Sequence, residues 1–448
     1  MTRTPEDISQ DLLDAARKAG ADAADAIVLD GSSVSVEVRG GALEHAERSE
    51  GADLGLRLFL GKRQAIVSSS DSRPETLTAM AERAVAMAKE APEDPFTGLA
   101  RTDQLAADWD VEALELFDPT PEPSAEDLLK DALAAEAAAL AVQGVSQVSD
   151  AAAAYGVHRV HLAATNGFSG GYERSSRSTS CVAISGEGTG MERDYDGDSR
   201  TFQSDLRSPD DIGRSAGERA VQLVGARQPV TGTFPVLFDE RISSSLIGHL
   251  LGASNGAAIA RGSSWLSDCL GEQVLPAHLS LIEDPHRPRI AGSRPFDAEG
   301  LPTQRRAIVE NGVLTGWTLD LASARKLDMV STGNAVRGVS GPPSPSNWNL
   351  SLTQGTQSRE DLLRDMGTGL LVTSMIGSTI NPNTGDYSRG ASGFWIENGQ
   401  IAYPVNECTI AGNLRDMLRR IIPANDVRPY LSRVVPSVLI EGMTLAGN

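Results

Sequence analysis

Two stretches of this chain, residues 307–317 (AIVENGVLTGW) and 394–405 (FWIENGQIAYPV), leave little choice of local fold. Each joins two β-prone runs through Asn-Gly. The two-residue turn between antiparallel strands needs positive φ at both central positions, which Asn and Gly tolerate best. Residues 228–448 therefore read as a strand-rich domain entered by the buried strand FPVLF, with helices mainly at 240–260, 358–366 and 411–420. At 448 residues the chain is too long for one hydrophobic core, so this domain must have neighbours.

Upstream the periodicity changes. Residues 1–91 read as an α/β domain that opens with a helix over 5–19, where Ile8, Leu12, Leu13 and Ala16 make one apolar stripe and Gly20 ends it. The runs AIVLD, SVSVEVR, LEHAERS, LGLRLFL and QAIVSSS follow as short strands, with Gly31, Gly40-Gly41 and Gly61-Lys62 as turns. A second helix starts near Pro74. Residues 92–123 are rich in proline and acid, lack periodicity and read as a linker or surface-hugging connection. Residues 124–227 form a central α/β domain, in which Ser124 and Asp127 cap an alanine-rich helix and Asn166-Gly167 turns a hairpin. The predicted class is α+β: an N-terminal α/β sandwich-like region in two parts, plus the strand-rich C-terminal domain.

Forty basic against sixty acidic side chains give a formal charge of -20, a field that repels nucleic-acid backbones and anionic membranes. No run approaches the roughly 20 apolar residues that span a bilayer. The first residues lack the apolar core of a signal peptide. Cys181, Cys269 and Cys408 are an odd, dispersed set that fits reduced thiols. A cytoplasmic protein without nucleic-acid or membrane partners is expected.

Candidate chemistry is sparse. A zinc protease needs two imidazoles a turn apart, yet the positions one turn from His249 are Ser245 and Ala253. His158 and His161, three apart on a predicted strand, point to opposite faces. Asp194, Asp196 and Asp198 resemble the start of a calcium loop, but Ser199 stands where Gly should turn the chain, which favours a solvated acidic turn. GxSxG occurs at 167–171 and at 252–256, neither in the strand-turn-helix context it requires. A serine hydrolase built from Ser254, Asp268 and His278 is the enzymatic alternative. No metal ligands, cofactor site or catalytic residues are assigned to this chain.

Residues 381–418, NPNTGDYSRGASGFWIENGQIAYPVNECTIAGNLRDML, resemble the signature of the TldD/PmbA family, also called modulators of DNA gyrase. SVLIEGMTLAGN and LRLFLGKRQAIVSSSD are similar to its TldE/PmbA members. In that family TldD carries a helical HExxxH and a C-terminal cysteine as metal ligands, and TldE/PmbA lacks them and pairs with TldD. Here the helix after FPVLFDE has Ser and Leu where His and Glu would stand, and no cysteine follows Arg428. The resemblance implies the subunit without metal ligands of a heterodimeric metalloprotease, whose TldD-like partner holds zinc or a similar divalent metal. Such a heterodimer encloses a chamber that cleaves short unfolded peptides, including leader peptides and labile antitoxins. Asn383, Asp386, Tyr387, Ser388 and Ser392 are expected to line that chamber or the subunit contact; the same segment also reads as tight turns and a packed hairpin. A protease-independent, peptide-binding homodimer is the further alternative.

Overall fold

The computed structural model describes residues 3–447. Its first half contains α1 (Pro5–Ala19), β1 (Ala23–Arg39), β2 (Ala42–Leu60), β3 (Arg63–Ser69), α2 (Pro74–Glu90), α3 (Ala125–Leu140), β4 (Val145–Ala164), β5 (Ser169–Ser185), β6 (Glu192–Arg200) and α4 (Pro209–Gln222). Local chemistry sets the helix ends. Thr4 and Asp7 close a capping box on α1, Gly20 ends it at φ 96°, and Ser124 and Asp127 repeat the box on α3.

The two α/β segments do not fold apart: all six strands form one antiparallel sheet in the order β3-β2-β1-β4-β5-β6. The five predicted N-terminal runs merge into three strands. Gly31, expected as a turn, lies inside β1 opposite Gly51. A Cβ at Gly31 would sit 2.4 Å from the Val157 carbonyl oxygen, so glycine there permits close approach of neighbouring strands. Period-two alternation sends Ala24, Ala26 and Val28 to a core under α1 and α2, and Val34, Val36 and Val38 to a core under α3 and α4. All four helices thus cover one face of the sheet. Between α3 and α4 the packing is close enough that a Cβ at Gly213 would meet the Ala135 carbonyl oxygen at 1.9 Å.

The second half contains β7 (Gly232–Phe238), α5 (Glu240–Ala253), α6 (Gly256–Ala260), β8 (Leu281–Glu283), β9 (Arg306–Glu310), β10 (Val313–Leu314), α7 (Leu321–Lys326), β11 (Ala335–Val336), β12 (Ser344–Pro345) and β13 (Leu350–Leu352). It continues with α8 (Arg359–Met366), β14 (Gly369–Ile380), β15 (Asp386–Glu397), β16 (Gln400–Asn413), α9 (Leu414–Leu418), β17 (Ile422–Pro423), β18 (Arg433–Val434) and β19 (Val438–Ala446). The strands β16-β15-β14-β7-β19 are paired in series, and β19 pairs again with β16, closing a five-stranded barrel from which β17 branches. A smaller sheet, β10-β9-β8-β13-β18, packs with α5 and the barrel around the largest core. Both Asn-Gly turns have the expected positive φ: 49° and 81° at Asn311 and Gly312, 52° and 75° at Asn398 and Gly399.

The sheet's second face meets the C-terminal half. Ile27, Leu162 and Phe168 pack on Phe296, joined by Trp109 from the stretch between α2 and α3. That stretch is held in place, because Arg325 donates to the carbonyls of Phe96 (3.0 Å), Gly98 (3.0 Å) and Leu99 (2.7 Å). At the same junction the buried Asp25 accepts from Arg57 (2.9 Å) and from Arg337 of the C-terminal half. Burial raises the pKa of Asp25, but the Arg337 and Arg57 guanidiniums outweigh it and the carboxyl titrates below its ordinary range.

Candidate functional site

Between the edge strand β6 and the barrel lies a cavity of about 600 Å³. β6 pairs on one side only, with β5, so one row of its main-chain groups has no strand partner, and residues 192–195 line the cavity. The opposite wall is made by the first turns of α5 and by β14 and β15. Asp239 caps α5, and Arg241 reaches across to Asp194 with two hydrogen bonds of 2.9 and 3.1 Å. This fork of parallel bonds fixes the distance between the two halves at the cavity's rim.

β-Bulges surround the site. Thr373 is an extra residue between the pairs Val372–Gly393 and Ser374–Ser392, and a second irregularity falls between Ile376 and Thr379. On β16 the register slips between the partners of Ala391 and Gly393, where Glu407 takes a positive φ of 50°. Bulges bend strands and re-aim side chains, and here Thr373, Ser374, Met375 and Ser392 face the cavity beside Ser244, Ser245 and Arg389. Asn406, next to the slip, donates to Glu192 of β6 at 2.9 Å.

The five residues singled out in the sequence are not brought together. Ser392 lines the cavity and Ser388 is half-buried on β15. Asn383 and Asp386 sit in and beside the exposed β14–β15 turn, where Asn381 Oδ1 accepts the Asn383 N–H (3.0 Å) and Asp386 accepts from Thr384 (2.6 Å) and Asn413 (3.0 Å). Those side-chain bonds hold the Asp386 carboxyl below the usual range. Tyr387 belongs to the core: it is 2% exposed and its hydroxyl meets Met375 Sδ at 3.3 Å. Sequence reasoning missed Arg241 and Arg389, for which the residue types alone carry no signal. It met Asp194 only as part of an acidic turn.

That turn needs correction. Asp194, Asp196 and Asp198 lie on β6, and each faces an arginine: Asp194 pairs with Arg241, Asp196 with Arg207 (2.8 Å) and Arg219 (3.1 Å), Asp198 with Arg200 (2.9 Å). Alternating acids on an edge strand are neutralised by arginines from α4 and α5 and from the chain around β6. The serine triad does not assemble either. Ser254 is fully buried and donates to the Leu251 carbonyl at 3.2 Å, Asp268 pairs with Arg415 at 2.7 Å on the surface, and His278 is exposed.

Metal donors are equally dispersed. Among the described residues no group of three or more His, Cys, Asp or Glu is placed to hold an ion. His249, one turn beyond Ser245 on α5, packs edge-on against Tyr387 at 5.8 Å, and burial, aided by Arg389, lowers its pKa. Its Nε2 is buried without a hydrogen-bond partner. Cys408 is buried and donates to the Ala391 carbonyl at 3.2 Å, and burial pushes its thiol up to about 11. A neutral imidazole and a protonated thiol, neither with a companion ligand, do not fit a catalytic metal.

Comparison with known proteins finds three family domains along the chain. The PmbA/TldA metallopeptidase domain 1 matches residues 24–88, the central domain 118–224 and the C-terminal domain 231–447. The three matched domains define a chain of metallopeptidase architecture. It belongs to the PmbA/TldD family. It is 37% identical to Metalloprotease PmbA of Escherichia coli O157:H7 over 95% of this chain and 93% of that protein. It is 38% identical to a Metalloprotease PmbA homolog of Haemophilus influenzae over 97% and 94%. A crystal structure described as a modulator of DNA gyrase from Bacteroides thetaiotaomicron superposes with a TM-score of 0.92 at 27% identity, covering 99% of this chain and 100% of that one.

Proposed function

We propose that this chain is the subunit without metal ligands of a two-chain metallopeptidase, contributing chamber wall and peptide capture while an HExxxH-bearing partner holds the metal. The observation that carries the reading is the cavity itself. In a metallopeptidase family, α5 presents Arg241, Ser244 and Ser245 to a 600 Å³ space, where a catalytic helix would present imidazoles. The unpaired edge of β6 is suited to adding an extended peptide as a strand, through main-chain bonds indifferent to sequence. Hydroxyl groups on β14 and β15 would contact such a peptide without selecting side chains. Leader peptides and labile antitoxins are substrates of the expected kind, being extended and unfolded.

The test is peptidase activity on an unfolded peptide with this chain alone, with an HExxxH-bearing family partner alone, and with both, before and after chelation. Cleavage by the mixture only, abolished by chelator, is the expected result. Cleavage by this chain alone would end the proposal, and its chelator sensitivity would tell a metal site from a nucleophile.

A further inference from the structure

A second cavity, of about 320 Å³, opens where β4, β5 and β6 meet the segments around Ile290 and Tyr430. Three arginines and one histidine line it and no carboxylate does, in a chain whose formal charge is -20. His158 and Arg174 are directly opposed on β4 and β5, on the sheet face turned away from the helices, and Ser176 follows Arg174 on that face. Arg174 directs both Nη groups to the carbonyls of Ala291 and Ser293 (2.8 Å each), and among the described residues no carboxylate lies within ion-pair distance of it. It therefore supplies uncompensated positive charge.

Arg200 commits its Nε to Asp198, 2.9 Å from each oxygen, and stacks 3.4 Å over the ring of Tyr430, leaving its Nη groups free for another acceptor. The third guanidinium, Arg289, is neutralised by Glu115 and Asp205. The hydroxyls of Ser176, Ser199 and Ser432, from three different segments, make no hydrogen bond within the described protein while lining the same space. A carboxylate presents two acceptor oxygens in one plane. A phosphate presents three or more around a tetrahedron, which is what donors converging from three segments plus a guanidinium can satisfy.

We propose that this pocket binds a phosphate group, free or as a small phosphate monoester, held by Arg200, Ser176, Ser199 and Ser432 in the field of Arg174. The site is separate from the cavity beside α5 and stands whether or not the peptidase reading does. The full chain, in phosphate-free buffer at constant ionic strength, is titrated calorimetrically with inorganic phosphate, with glycerol phosphate and with acetate. Saturable binding of one phosphate species per chain, with no binding of acetate, is expected; tighter binding of glycerol phosphate would identify an ester as the natural source, and tighter binding of inorganic phosphate the free ion. Ser176→Asp, an exposed substitution that sets a carboxylate among the guanidiniums, should weaken binding tenfold or more with an unchanged melting curve. Arg200→Gln should do the same. Failure of both phosphate species to saturate, equal binding of acetate, or unaltered affinity in Ser176→Asp would overturn the proposal.

Discussion

The acids of the junction between the sheet and the C-terminal half titrate in opposite senses because their neighbours differ. Asp25 lies between two guanidiniums, whereas Asp297 and Glu299 are buried beside each other. Burial, then the charge of Asp297, pushes Glu299 up to about 8, although it accepts the Leu321 N–H at 2.8 Å. A carboxyl with a raised folded-state pKa binds more protons folded than unfolded, so its contribution to stability falls as pH rises from the ordinary carboxylate range toward 8. Urea unfolding between pH 5 and 8.5 should show this decline, and Glu299→Gln, which cannot titrate, should flatten it; an unchanged slope would mean that the burial of Glu299 does not control it. Nothing in AGSRPFDAEG announces such a pair, because burial of an acid depends on contacts with residues far away in sequence. The same distance explains Tyr387, which sits among the polar residues of TGDYSRG yet turns inward on alternate strand positions toward His249. What could be read at single residues was local, as with the capping pair Ser124 and Asp127.

Elements were legible where their cause is local. Both Asn-Gly hairpins and the stripe of α1 follow from turn chemistry and period, and the structure reproduces them. The long strand β1 was cut short because Gly31 was read as a turn, and β2 was read as two separate runs; Gly31 and Gly51 instead face each other across a pair of continuous strands, a cross-strand relation that sequence alone does not display. The hairpin between β9 and β10 permits a direct test. Gly312 has φ 81°, and an added Cβ would stand 2.5 Å from the Leu275 carbonyl oxygen. Gly312→Ala should therefore lose about 1–3 kcal/mol from backbone strain alone, with the clash adding to it. Chemical denaturation measures this, and a loss under about 0.5 kcal/mol would show that the turn can relax.

Across the whole molecule the order is helices, sheet, then the C-terminal half, with residues 92–123 wedged at the junction. Arg325, from α7, pins that stretch by three main-chain carbonyls, and exposed Arg101 lies just beyond them. In Arg325→Ala the carbonyls lose their charged donor, at a cost of about 1–3 kcal/mol. Trypsin under native conditions should then cut after Arg101 several-fold faster than in the parent, as read by gel and mass spectrometry; equal rates would mean that the aromatic packing of Trp109 suffices. The closed barrel also bears on how the molecule is made. β7 is synthesised about 200 residues before β19, which must slot between it and β16, so during translation β7 has only its parallel partner β14 and keeps one margin bare until β19 emerges. A ribosome that stalls or terminates before Val438 would release a chain with two raw strand margins, and such a fragment is a substrate for chaperones and degradation rather than a smaller working protein.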